Sequence, residues 1–133
     1  MNPESPNRRI LVIDDEYAIR VLLKSFLEGN KYEVRLAEDG EHALQTLERF
    51  QPEVVISDIM MPVENGLSVV SKIRERNPSI KVVYLSAWID EAETEKRLNE
   101  ELNEYPDYRL IKKPFDLDAL LKAIEELLSL PTA

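Results

Sequence analysis

The stretch Val54-Val55-Ile56-Ser57-Asp58-Ile59-Met60-Met61-Pro62 decides how this chain is read. Its three opening β-branched residues suit a parallel strand covered on both faces. Pro62 cannot donate to a sheet ladder, so the strand has stopped before it and Asp58 falls at or near the carboxyl edge. In open α/β sheets that edge is where ligands bind. Taken alone, Asp58 reads equally as a turn-forming acid that ends a strand.

Working outward, the same alternation repeats. Toward the amino end, Ile10 to Ile13 is an apolar run closed by Asp14, Asp15 and Glu16, followed at helical spacing by Ile19, Leu22, Leu23, Phe26 and Leu27, with Gly29 and Asn30 as stop signals. Val34 to Ala37 is a second strand; Asp39 and Gly40 turn into a helix through Ala43, Leu44 and Leu47 that closes at Pro52. Beyond Pro62, a third helix carries Leu67, Val70 and Ile73 and ends near Asn77 and Pro78.

Val82 to Leu85 is a fourth strand running into Ser86, Ala87 and Trp88. A charged helix is expected from about Glu91 to Asn103, before Pro106 breaks the chain. Tyr108 to Ile111 is a fifth strand, closed by Lys112, Lys113 and Pro114. The last helix presents Leu117, Leu120, Leu121, Ile124, Leu127 and Leu128, with Asp116 as its N-cap. Strands alternating with helices predict a three-layer α/β domain: a five-stranded parallel sheet of order 2-1-3-4-5 with five helices, flavodoxin-like. The expected boundaries are a disordered lead at 1–7, the domain at 8–129 and a tail at 130–133, with no output module.

Composition narrows the function. A chain of 133 residues, 44% hydrophobic and 32% charged, is long enough for one real core and is neither disordered nor membrane-like. A net charge of -9 argues against a nucleic-acid partner, which needs Lys and Arg to neutralise phosphates. The absence of cysteine excludes disulfides, thiolate metal sites and a cysteine nucleophile. The amino terminus lacks a signal-peptide pattern and no apolar run has the length of a membrane span, so a cytoplasmic setting is expected. The three glycines, Gly29, Gly40 and Gly66, stand far apart, so no glycine-rich phosphate loop is present. His42, the single histidine, reads as a surface residue away from the strand ends.

The predicted topology gathers Asp14, Asp15, Asp58, Ser86 and Lys113 at one sheet edge. Singly, each has an ordinary reading as turn acid, strand-end hydroxyl or solvated charge. Together, the carboxylates repel unless protons or a cation offset them, and hard oxygen ligands suit Mg²⁺, or Mn²⁺ in its place, over a soft metal. An ammonium and a hydroxyl beside such a cation describe a phosphoryl site with a carboxylate nucleophile.

With Asp14 and Asp15 after the first strand, the run Asp58, Met61, Pro62, Gly66 after the third, Ser86 and Ala87 after the fourth and Lys113, Pro114, Phe115 after the fifth, the chain resembles a response-regulator receiver domain from about Arg8 to Leu128. The resemblance implies that Asp58 accepts a phosphoryl group from a histidine kinase or histidine phosphotransfer protein. It also implies that Asp15 and Asp58 ligate Mg²⁺ directly, that Asp14 acts through water and that the Met60 backbone carbonyl is a further ligand. Lys113 would pair with a phosphoryl oxygen, Ser86 would move to hydrogen-bond it, and the Lys113–Pro114 peptide would be cis. Output would pass to an unidentified downstream protein by docking or phosphorelay, and Tyr17, Ala18, Ile19 and Arg20 resemble the first-helix docking region of stand-alone phosphorelay receivers.

Leu110 stands where the family usually has an aromatic switch residue, with Tyr108 two residues earlier, a departure that bears on signal coupling. The segment from Ser86 to Lys113 is longer than usual, so an extended fourth helix or longer loop is expected. From Trp88 to Tyr105 it carries seven acids against two bases, read as a solvated face or a partner surface. Met60, two residues beyond Asp58, and Trp88, two beyond Ser86, read as core or rim packing or as bulky neighbours that slow hydrolysis of an acyl phosphate. Two other function classes compete: a receiver-like interaction module that works without phosphorylation, and a small Mg²⁺-dependent phosphohydrolase, for which Ile59 and Met60 supply no general acid.

Overall fold

A computed structural model describes residues 7–62, 64–87, 96, 100 and 107–130. Five parallel strands, β1 (Arg9–Ile13), β2 (Glu33–Ala37), β3 (Val54–Asp58), β4 (Lys81–Ser86) and β5 (Tyr108–Lys112), pair in the order β2-β1-β3-β4-β5. The expected strand order and α/β class are therefore observed. Among the described residues the helices are α1 (Tyr17–Gly29), α2 (Gly40–Phe50), α3 (Gly66–Arg76) and α4 (Leu117–Leu128), four where five were expected. The charged helix expected from about Glu91 to Asn103 lies outside the described residues except for Lys96 and Glu100, as do Trp88 and Pro106.

Side-chain alternation along the buried strands builds two cores. Leu11, Ile13, Val55, Val82 and Tyr84 face α2 and α3, meeting Ala43, Leu47, Leu67, Val70 and Ile73. Ile10, Val12, Val54, Ile56, Val83 and Leu85 face the other way, onto Leu23 and Leu27 of α1 and Leu120, Ile124 and Leu127 of α4. Leu22 departs from the expected apolar stripe: it is exposed, because the three successive apolar residues Val21, Leu22 and Leu23 cover more arc than one sheet face can bury. Leu130, assigned to the tail from sequence, packs against the second core.

Helix starts follow from local chemistry. Asp39, Asn65 and Asp116 each accept a hydrogen bond from a backbone amide of the first turn, of His42 at 2.8 Å, Ser68 at 3.0 Å and Asp118 at 2.9 Å. Leu110 packs half-buried on the first core, while Tyr108 meets Tyr84 edge to face with ring centres 5.9 Å apart. His42 is exposed on α2.

What places the functional residues is the reversal of strand order. From β1 the chain goes to β2 on one side and returns to β3 on the other, so the loops leaving β1 and β3 diverge and open a crevice between them. Single hydrogen bonds extend the ladders to the crevice lip: Asp14 N to Ala37 O at 3.1 Å, Ile59 N to Leu85 O at 2.9 Å and Lys113 N to Ser86 O at 2.6 Å.

Candidate metal and phosphoryl centre

Asp58 is the last residue of β3 and is 3% exposed, with one oxygen accepting from the Met60 amide at 3.2 Å and the other 3.4 Å from Lys113 Nζ. Asp14, fully buried, accepts from the Glu16 amide at 2.9 Å on Oδ1 and from Lys113 Nζ at 3.1 Å on Oδ2, while its carbonyl accepts from Arg20 at 2.8 Å. The Lys113 side chain is 12% exposed and also lies 3.7 Å from Glu16 Oε1. Asp14 and Asp58, from different strand ends, therefore share one ammonium.

The electrostatics follow from burial and crowding. Burial, and then the neighbouring Asp14 charge, push the Asp58 carboxyl up to about 6, against the opposing pull of Lys113 and the Met60 amide. Asp14 is also raised, chiefly by burial, with the Glu16 amide and Lys113 acting the other way. For Lys113, burial disfavours the ammonium, yet Asp14 and Asp58 outweigh it and hold the group above its ordinary value. The lysine stays charged, and the site carries more negative charge than it can neutralise.

Asp14, Glu16 and Asp58 each offer a carboxylate oxygen within 4.8 Å of the others. With one lysine among them they leave an excess of two negative charges. Hard oxygen donors with that excess fit a hard divalent cation such as Mg²⁺. The residues present therefore suit the metal expected from the sequence, and Glu16 adds to the expected set. Asp15 is exposed and outside this trio; it lines an adjacent cleft of about 460 Å³ with Glu38, Asp39, Met61, Pro62 and Glu64. Glu16 was not singled out from sequence, and its signal was its place directly after the two aspartates.

The remaining expected residues sit at the same edge. Ser86 ends β4, buried, and its carbonyl receives the Lys113 amide; Ala87 is exposed beyond it. The Lys113–Pro114 peptide is cis, with Pro114 exposed. Met60 does not join the core: it is 52% exposed, and its backbone amide donates to Asp58 Oδ1. A roomier groove of about 1010 Å³ lies at the opposite end of the sheet, between the starts of β1 and β2 and the end of α2, lined by Arg9, Arg35, Arg49 and Phe50. It holds none of the convergent acids and plays no part in this chemistry.

Comparison with known proteins agrees with this geometry. The family described as response regulator receiver domain matches residues 10–125. The chain is 35% identical over 120 residues to response regulator MprA of Mycolicibacterium vanbaalenii, covering 90% of this chain and 50% of that protein. It is 36% identical over 121 residues to the alkaline phosphatase synthesis transcriptional regulatory protein PhoP of Bacillus subtilis, covering 89% and 48%. The chain thus spans about half the length of the curated relatives it matches.

Among solved structures, it is similar to a CheY-like receiver domain protein from Methanospirillum hungatei, with TM-score 0.81 and 28% identity over 92% of this chain and 94% of that one. It is also similar to the signal receiver domain of an HD domain-containing protein from Pseudomonas fluorescens, with TM-score 0.80 and 29% identity over 92% and 94%. A carboxylate ending the third strand, shared lysine contacts at a topological switch point and a family match across most of the chain lead to one conclusion: this chain belongs to the response regulator receiver domain family of two-component signalling.

Proposed function

We propose that Asp58 is the phosphoacceptor of this domain, taking a phosphoryl group from the phosphohistidine of a kinase or histidine phosphotransfer protein in the cytoplasm. The observation that carries this reading is the Asp58 carboxylate at the crevice, held by the Met60 amide on one oxygen and facing the Lys113 ammonium on the other. A carboxylate oxygen attacks phosphorus in line, the bond to the donor nitrogen breaks, and the donor leaves with its electron pair. Lys113, already poised between Asp14 and Asp58, is placed to pair with a phosphoryl oxygen. Ser86, at the neighbouring strand end, is placed to donate to the same group. Mg²⁺ held by Asp14, Asp15, Asp58 and the Met60 carbonyl would supply charge neutralisation between the anionic acceptor and the anionic donor.

Output follows from altered protein docking or phosphorelay, since the phosphoryl group biases which of two surfaces is populated. On α1, Tyr17, Val21 and Leu22 are exposed apolar residues, Tyr17 and Val21 one helical turn apart. This supports a histidine-bearing partner that docks there and brings its phosphohistidine to Asp58.

The test is incubation with Mg²⁺ and acetyl phosphate, followed by intact mass. The wild type is expected to gain one labile phosphate, and Asp58→Asn none. Labelling of both proteins alike, or of neither, would sink the proposal, and turnover of a phosphomonoester would move the protein to the hydrolase class.

Two further expectations arise from the site. Attack needs the carboxylate form, and without bound metal Asp58 titrates near 6. At Mg²⁺ well below half-saturation, the initial labelling rate is therefore expected to fall about tenfold from pH 7 to pH 5. A flat profile would contradict this. Second, Met60 is a bulky exposed side chain two residues beyond Asp58, expected to hinder the hydrolytic water. Met60→Asn is expected to shorten the acyl-phosphate half-life several-fold, measured as loss of label after the donor is removed, while thermal stability stays within about 0.5 kcal/mol of wild type.

A further inference from the structure

Glu16 is the carboxylate to which the phosphoacceptor reading gives no task. It stands at the N-cap of α1 with extended backbone (φ -88°, ψ 117°) but makes no side-chain capping bond there, unlike Asp39, Asn65 and Asp116 at the other described helix starts. Its backbone is fixed all the same: the amide donates to Asp14 Oδ1 at 2.9 Å and the carbonyl accepts from Arg20 N at 3.1 Å. That anchorage directs the side chain over the crevice, 3.7 Å from Lys113 Nζ and within the carboxylate trio.

The other two members of the trio are already committed. Asp14 has both oxygens engaged, by the Glu16 amide and by Lys113, and Asp58 is engaged by the Met60 amide and Lys113. Among the described residues Glu16 has only the longer contact with Lys113, and its side chain is 61% exposed. It is the least encumbered oxygen donor of the three. It also adds to the charge balance: of the two negative charges that the trio carries in excess of Lys113, Glu16 supplies one.

We infer that Glu16 is a positioning residue for the divalent cation at the Asp58 site, supplying a third carboxylate that tightens binding. This rests on the reading of that site as a receiver's metal and phosphoryl centre. Direct Mg²⁺ titration of the full chain by isothermal calorimetry, without phosphodonor, tests it on wild type, Glu16→Gln and Glu16→Ser. Both variants are expected to raise the Mg²⁺ dissociation constant about fivefold or more.

The two variants separate charge from helix capping. Serine caps a helix and glutamine does not, so Glu16→Ser is expected to melt at a higher temperature than Glu16→Gln in the metal-free state while losing affinity to the same extent. Unchanged Mg²⁺ affinity in either variant, or affinity that follows melting temperature, would overturn the role. If the wild type is labelled on Asp58 and Glu16→Gln binds Mg²⁺ as wild type does, the Glu16 role fails and the phosphoacceptor stands. If binding weakens in the variants while the wild type takes no label, the phosphoacceptor reading fails and the Glu16 role stands.

Discussion

Gly66→Ala is expected to destabilise the domain by about 3 kcal/mol and to slow phosphorylation of Asp58 more than tenfold. Gly66 opens α3, and its amide donates to Ile59 O at 2.8 Å, which ties the helix start to the end of β3. A Cβ there would overlap the Asp58 carbonyl oxygen and press on the Asp58 carbonyl carbon and Ser57 Oγ. These are buried backbone and a buried short side chain, with no flexible tip to move aside. Relief requires α3 to lift from the sheet or the end of β3 to bend, and either displaces the acceptor. Urea unfolding and labelling rates read the two effects, and Gly29→Ala serves as control because a Cβ at Gly29 meets nothing within 4 Å. Equal stability of Gly66→Ala and wild type would contradict the close approach of α3 to the acceptor strand.

The second large effect runs against intuition: removing the acceptor should stabilise the metal-free protein. Asp58 has a folded-state pKa of about 6 against an ordinary 3.8. Between those values the folded state holds a proton that the unfolded chain has lost, so stability falls as pH rises through this window and stays lowered above it. Burying ionised Asp58 beside Asp14 therefore costs about 3 kcal/mol at pH 7.5 without metal. Asp58→Asn keeps the shape and removes the charge.

In chelator at pH 7.5 that variant is expected to melt roughly 5–10 °C above wild type, and the gap should close as pH falls below about 4. Added Mg²⁺ should then raise the wild type and leave the variant nearly unmoved, since a ligand stabilises only the state that binds it. A variant less stable than wild type in chelator would refute the charge excess at the crevice.

Much of this was legible in the sequence because parallel strands buried on both faces write themselves as short β-branched runs, and the residues just past each run share one edge of the sheet. Asp14, Asp58, Ser86 and Lys113 converge as that logic requires, and the β2-β1-β3-β4-β5 order puts the first two on either side of the switch point. Less legible was the direction of each side chain inside a loop. Asp15 and Glu16 are adjacent acids, and only the structure shows that Glu16 places a carboxylate oxygen within 4.8 Å of those of Asp14 and Asp58.

Exposure was the other gap. Met60 and Leu22 are apolar residues next to buried ones, and periodicity does not distinguish a core position from the rim beside it. The weight of Gly66 was hidden as well: its motif position was apparent, but its contact with the Asp58 carbonyl comes from tertiary packing. The expected charged helix near Glu91 to Asn103 and the neighbour Trp88 lie outside the described residues.

The central claim is that, among clustered acids, geometry selects one nucleophile. Borohydride reduction of the acetyl-phosphate-treated protein converts an aspartyl phosphate to homoserine, and peptide mapping by mass spectrometry then finds where. The account predicts homoserine at position 58 alone. Conversion at Asp14 or Asp15, or none at position 58 in a protein that has gained phosphate, would contradict it.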